Sequence, residues 1–202
     1  MRSIVSGLIA GLTALTLAQP VQAQVAWDAP LLVSPGSPTG WGIYLVDPWP
    51  GSGIGALATW RAGGPIGFRL GVAEGWRGDL AVYGGIDMSG PLARHSSEFP
   101  LDVDWVTGAG VSVGESALIS FPLGLSMGRV IRADGATFNP YFAPRARLDA
   151  WLGDPRPRRG ARLNLGVDLG VDLSFQPGWA IRFGATLGDP DAIAIGISSS
   201  LR

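Results

Sequence analysis

Between residues 161 and 175 every odd position is apolar (Ala161, Leu163, Leu165, Val167, Leu169, Val171, Leu173, Phe175), while the even positions carry Arg162, Asn164, Gly166, Asp168, Gly170, Asp172 and Ser174. A helix would scatter Asp168 and Asp172 among the leucines. An extended chain turns successive side chains to opposite faces and separates the two sets completely. A period of two held over this length constrains the segment to a β-strand with one apolar and one polar face. The run LGVDLGVDL inside it is a by-product of that alternation, not a solenoid repeat.

The same period continues along the chain. Leu101, Val103, Trp105, Ala109, Val111 and Val113 oppose Asp102, Asp104, Gly108, Gly110 and Ser112, and Ala117, Ile119, Phe121, Leu123, Leu125 and Met127 oppose Ser120, Gly124, Ser126 and Gly128. Phe138, Phe142, Ala146, Leu148 and Leu152 oppose Asn139, Tyr141, Arg145, Arg147 and Asp149, and Ile193, Ile195 and Ile197 oppose Ala194, Gly196 and Ser198. Shorter strands are predicted over 41–46, 54–62, 66–73, 80–88 and 180–187, for about ten in all. Turn chemistry divides them at Asp47-Pro48, Gly63-Gly64-Pro65, residues 75–78, Asp134-Gly135, residues 153–160, Gln176-Pro177-Gly178 and Gly188-Asp189-Pro190. Strand, turn, strand in unbroken succession predicts an up-and-down meander. Pro122, Pro140 and Pro144 cannot donate to a ladder and predict edges, bulges or strand ends; residues 89–100 read as the longest loop.

At the N-terminus, Arg2 precedes an apolar stretch over 4–17 that is too short to span a bilayer, and Val21-Gln22-Ala23 suits signal peptidase. The expected organisation is a signal peptide over 1–23, a lead-in over 24–40 that is rich in Pro and Ser from residue 30, and one barrel domain over 41–202. With no cysteine the exported chain has no disulfide support, and a closed sheet supplies stability by backbone pairing instead. A net charge of -1 excludes a broad basic footprint for nucleic acid, and charged residues at 15% fall below the roughly 25% of soluble domains.

The polar faces are built of Gly, Ala, Ser and Asp with occasional Arg, which suits the crowded interior of a narrow barrel rather than a water-facing surface. Strands from residue 101 onward reach the 9 to 11 residues or so that a tilted transmembrane strand needs. Trp60, Trp76, Trp151 and Trp179 fall near strand ends, where an interfacial girdle would place them. With its signal sequence, Gly-rich meander, dyad alternation and a strand at the C-terminal end, the chain resembles the small bacterial outer-membrane β-barrels as a class. It departs from them in ending Ser200-Leu201-Arg202 rather than on an aromatic residue. The resemblance implies an all-β, closed, up-and-down antiparallel transmembrane barrel of about eight to ten strands in the outer membrane. Its partners would be outer-membrane lipid and, during biogenesis, the barrel-assembly machinery.

Little in the sequence points to chemistry, and the expected function is a non-enzymatic structural or narrow-pore barrel without cofactor or metal. The alternatives are a soluble exported barrel holding an apolar ligand inside, and a hydrolase resembling the omptins, which use acidic residues with a His near the barrel mouth. For the latter, His95 is the sole histidine, with Glu98, Asp102 and Asp104 nearby in sequence. The glycines of residues 51–55 and 108–110 lead into no helix and so lack the context of a phosphate cradle. Residues 188–191 have no EF-hand spacing, and Arg156, Arg158 and Arg159 form a basic loop.

The polar faces carry six Arg (61, 69, 145, 147, 162, 182) and seven Asp (79, 87, 102, 104, 149, 168, 172), a near balance that predicts internal pairing. If the hairpin over 153–160 sets Leu152 opposite Ala161, Arg145 faces Asp168. Matching polar faces across the next hairpin sets Asp172 opposite Arg182. The expected interior site is therefore Arg145 with Asp168 and Asp172 with Arg182.

Overall fold

The computed structural model describes residues 30–36, 39–47, 53–74, 80–114, 117–133, 135–152, 160–188 and 191–200. The expected signal peptide, Trp76, Asp79 and the basic residues Arg156, Arg158 and Arg159 lie outside the described residues. The strands are β1 (Gly40–Asp47), β2 (Gly55–Arg61), β3 (Ile66–Glu74), β4 (Leu80–Ala93), β5 (Asp102–Val113), β6 (Ala117–Gly128), β7 (Ile131–Ala133), β8 (Ala136–Leu152), β9 (Gly160–Gln176), β10 (Trp179–Gly188) and β11 (Ala192–Ser200). Neighbours in sequence pair antiparallel, β11 returns to β1, and β6 pairs with β8, so ten strands close a barrel. The short β7 continues the line of β6 along β8, since Gly128↔Tyr141 and Ile131↔Phe138 keep one register. Closure leaves the wall without a sheet edge.

Alternation sorts the two faces of this wall. On β3, Ile66, Phe68, Leu70 and Val72 are exposed, while Gly67, Arg69, Gly71 and Ala73 are buried. Exposed Ile181 and Phe183 on β10, Ile193, Ile195 and Ile197 on β11, and Phe121, Leu123 and Leu125 on β6 carry the apolar face around the outside. Arg182, Thr186, Ser198, Ser126, Arg145, Asp149 and Asp168 turn inward and are buried. The buried charges therefore lie inside, among a smaller set of apolar side chains, while large apolar residues cover the outside, against the usual distribution in a soluble domain.

Both ends of the circuit, Gly40 and Ser200, lie at one mouth, here called proximal, together with the turns at 62–65, 94–101 and 177–178. Pro177 and Gly178, the latter at φ 91°, occupy the two central positions of the β9–β10 turn as a type II turn requires. Residues 89–93, expected in a loop, instead extend β4 beyond β3, because residues of β5 from Val103 to Val106 pair with them; Ala93 is reached across a bulge. The loop that remains, over 94–101, is shorter than expected and lies at the same mouth as Gly40 and Ser200. Trp41, Trp60 and Trp179 face outward there, with Trp41 and Trp179 edge to face at 5.4 Å. Trp151, expected in the girdle, instead falls on the inward row of β8 at the opposite, distal mouth.

The three prolines act on the ladders without bending the register. Pro122 and Phe121 form no pair with Gly108 and Ala109, although β5 and β6 keep the same register on either side. Thr107 Oγ1 donates to the Pro122 carbonyl at 3.0 Å. Likewise Pro144 and Ala143 leave Leu125 and Ser126 unpaired in the β6–β8 ladder, and Pro140 stands where β6 has ended. The first two are thus mid-strand gaps rather than edges or strand ends.

The inward glycines make room for three tyrosines. Tyr141 lies across from Gly170, Tyr44 across from Gly196, and Tyr83 over Gly110, and a Cβ on any of these glycines would run into the tyrosine. Each ring thereby covers backbone that a glycine leaves bare. Gly170→Val should destabilise the barrel by about 1–3 kcal/mol through overpacking. Gly84→Ala, where a Cβ meets nothing within 4 Å, should be neutral or slightly stabilising. Urea unfolding of the two variants in detergent, followed by tryptophan fluorescence, checks the contrast.

Candidate functional site

The inner wall carries most of its charges as pairs, with Arg69 bonded to a backbone carbonyl instead. Arg145 Nε donates to Asp168 Oδ1 at 3.0 Å, and Arg145 also donates to Thr186 Oγ1 at 3.2 Å, whose hydroxyl in turn donates to Asp168 at 2.7 Å. Arg182 donates to Asp172 Oδ2 at 2.9 Å, with its Nε a further 2.9 Å contact to Oδ1. Arg182 and Asp172 stand directly opposite one another in the β9–β10 register. In the β8–β9 register Arg145 faces Gly166 and Asp168 faces Ala143, a slip of two residues from the expected register, and the guanidinium bridges it. A shift of two keeps both side chains on one face, so the contact survives it.

Four more groups complete the wall. Asp149 accepts from Arg147 Nε at 2.8 Å, Ser120 Oγ at 2.7 Å and Asn164 Nδ2 at 2.6 Å. Arg147 and Asp149 are two apart on one strand, a same-face neighbour relation that cross-strand arithmetic does not find. Arg61 bonds Asp87, and Arg94 bonds Asp104 at 2.8 Å. Arg162 is exposed at the distal end, across from Asp149 in the register.

Residues 30–36 of the lead-in run through the interior of the barrel. Residues 30–35 are buried, and the contacts of the segment come from strands on every side of the lumen. Arg69 of β3 donates to the Pro30 carbonyl at 2.6 Å, Arg182 of β10 to the Leu32 carbonyl at 3.1 Å, and Ser126 of β6 to the Val33 carbonyl at 2.6 Å. Asn139 of β8 donates to the Pro35 carbonyl at 3.3 Å. In return the Leu31 N–H donates to Asp168 at 3.0 Å, Ser34 Oγ to Asp172 at 2.6 Å, and the Gly36 N–H to Asp104 at 3.4 Å. Only a segment inside the circuit can reach all of these strands.

Apolar packing fixes the same segment. Leu32 joins Tyr44, Val46, Leu57, Ala73, Ala81 and Ala194 in one buried cluster, and Leu31 and Val33 pack with Val106. Leu32 is the one non-glycine among the described residues at positive φ, 54°. That conformation costs about 1–3 kcal/mol and persists only where its surroundings over-determine it. A sequence signal for this existed: three consecutive apolar residues, Leu31-Leu32-Val33, between Pro30 and Pro35 are out of keeping with a solvated lead-in.

Beside this strap, residues 30–36, lies one small cavity. Lined by Leu32, Tyr44, Thr59, Arg61, Asp87 and Arg182, it measures about 30 Å³, room for water and far below the roughly 300 Å³ of a small-molecule site. At the proximal mouth the His95 ring lies 3.0 Å from Asp102, whose carboxylate also accepts the His95 backbone N–H at 2.9 Å. Of the other two nearby acids, Asp104 is taken by Arg94 and Gly36, and Glu98 is exposed. Asp191 accepts from the Gly188 N–H at 2.8 Å and so serves its own turn.

Comparison with protein-family models, curated proteins and solved structures returns no match. The class that the geometry defines is a closed ten-stranded antiparallel barrel with charged pairs and residues 30–36 in its interior and an apolar exterior. Because Asp168 is fully buried, removing its cation strands a charge. Arg145→Met should cost about 3–5 kcal/mol, and the double variant with Asp168→Asn should recover part of that loss. Chemical denaturation of the single and double variants checks the order; a double variant weaker than Arg145→Met would contradict it.

Proposed function

We propose that this protein is a non-enzymatic bacterial outer-membrane barrel, exported through a cleaved signal peptide, whose narrow pore is closed by its own residues 30–36. The observation that carries the reading is the inversion of faces. Leucine, isoleucine and phenylalanine occupy the outside of strands around the circuit, while arginine and aspartate line the inside. In water such a belt would be a patch far beyond the few hundred Å² that soluble monomers expose. Against acyl chains it is the expected surface, and Trp41, Trp60 and Trp179 at one rim fit an interfacial girdle. A soluble barrel holding an apolar ligand requires the opposite arrangement. Strands of 12, 12, 17, 17, 10 and 9 residues in β5, β6, β8, β9, β10 and β11 suffice to cross the hydrocarbon core when tilted.

The test uses the belt itself. Leu70, in the middle of β3, is 63% exposed. Leu70→Arg should cost about 2–4 kcal/mol of folding stability in lipid vesicles if that position faces the bilayer. On a water-facing surface the same change falls within about 0.5 kcal/mol of zero. The intact chain should also fractionate with the outer membrane and migrate faster unboiled than boiled on a gel. Release with the periplasm, together with a neutral Leu70→Arg, would overturn the proposal.

A further inference from the structure

We propose that residues 30–36 are a displaceable gate, and that the lumen is a binding channel for one polypeptide segment, occupied in cis by this chain's own. This rests on the membrane reading above. The channel holds main chain more than side chains: Arg69, Arg182, Ser126 and Asn139 each donate to a strap carbonyl, and Asp168 accepts a strap N–H. Such contacts suit a peptide, and the pockets around Leu31, Leu32 and Val33 supply the preference for apolar residues.

Three features make the strap separable from the wall. It contributes no strand to the circuit, whose ladders close without it. The carboxylates that hold it keep cations of their own, Arg145 for Asp168, Arg182 for Asp172 and, from the 94–101 turn, Arg94 for Asp104. Its departure therefore strands none of these three charges, and Arg69 alone of the wall cations that hold it loses its hydrogen-bond partner. Leu32 is held in a strained conformation that release would relieve, and exposed Gly36 at φ 69° gives the chain a pivot beside the proximal mouth. Ten strands also enclose more than the eight-stranded barrels that side chains alone fill. The space left over is where the strap lies.

Gly184 on β10 offers a way to expel it. A Cβ there would fall 2.7 Å from Leu32 Cδ2 and 3.2 Å from Pro30 Cβ, and its nearest neighbours all belong to the strap rather than the wall. The experiment compares the full chain, Gly184→Val and a chain lacking residues 30–36 in planar bilayers, each first checked for a heat-modifiable band. The full chain should stay closed apart from rare openings. Both variants should show an open probability at least about tenfold higher, and an acetylated, amidated peptide of residues 30–36 should block the deleted chain saturably where a scrambled peptide does not. Folded, inserted variants that remain closed, or block by the scrambled peptide equal to that by the true one, would overturn the gate. If the deletion does not fold, Gly184→Val decides; if neither folds, the segment is a folding element and the gate is wrong. Failure of the full chain itself to insert would count against the membrane reading instead.

Discussion

Closure of β1 onto β11 satisfies the last open edge of the sheet and leaves each wall residue two environments, inside or outside. The rest of the structure depends on that constraint. Because strand side chains alternate, a residue's parity fixes its side, and every leucine sent outward sends a neighbour inward. The inward set is mostly small or hydrogen-bonding, with Val46, Leu57, Val106 and Leu118 as apolar exceptions, since a curved wall crowds its concave side. Where a large inward residue does occur, as with Tyr44 or Tyr141, a glycine across the ladder makes room for it.

Charge inside such a wall is tolerable only when every ion has its partner. Asp149 and Asp168 illustrate two solutions. Asp149 is satisfied wholly by wall donors from β6, β8 and β9, whereas Asp168 divides its acceptors between Arg145, Thr186 and the strap backbone. The first stiffens the distal half of the barrel as a fixed network. The second joins wall to strap, so the same side chain serves stability and occlusion. Arg69 belongs to the second kind, its guanidinium turned to the Pro30 carbonyl.

Much of this was legible in the sequence because one physical rule, alternation, governs strand, face and sheet together. Residues 161–175 announce β9 and its facing without help from any other segment. What escaped was decided by contacts between distant segments. Nothing local tells Leu31-Leu32-Val33 that its burial partners lie on β1, β2, β3, β4, β5 and β11. The β8–β9 register depends on the loop over 153–159 and differed by one pair of positions. Ser89 to Ala93 carry loop-like residues and become strand only because β5 pairs with them. Trp151 lay near a strand end as expected, but parity turned it inward.

The gaps at Pro122 and Pro144 fall on the two sides of one strand, β6, which pairs with β5 and β8. Backbone pairing is what holds a barrel wall together laterally, and local stability follows the density of such bonds. This strand therefore forms a seam with one interior break in the pairing on each of its sides. Amide exchange would report residues beside the breaks as the fastest-opening points of this strand. Since Ser126 on that strand grips the Val33 carbonyl, breathing of the seam reaches the interior segment directly.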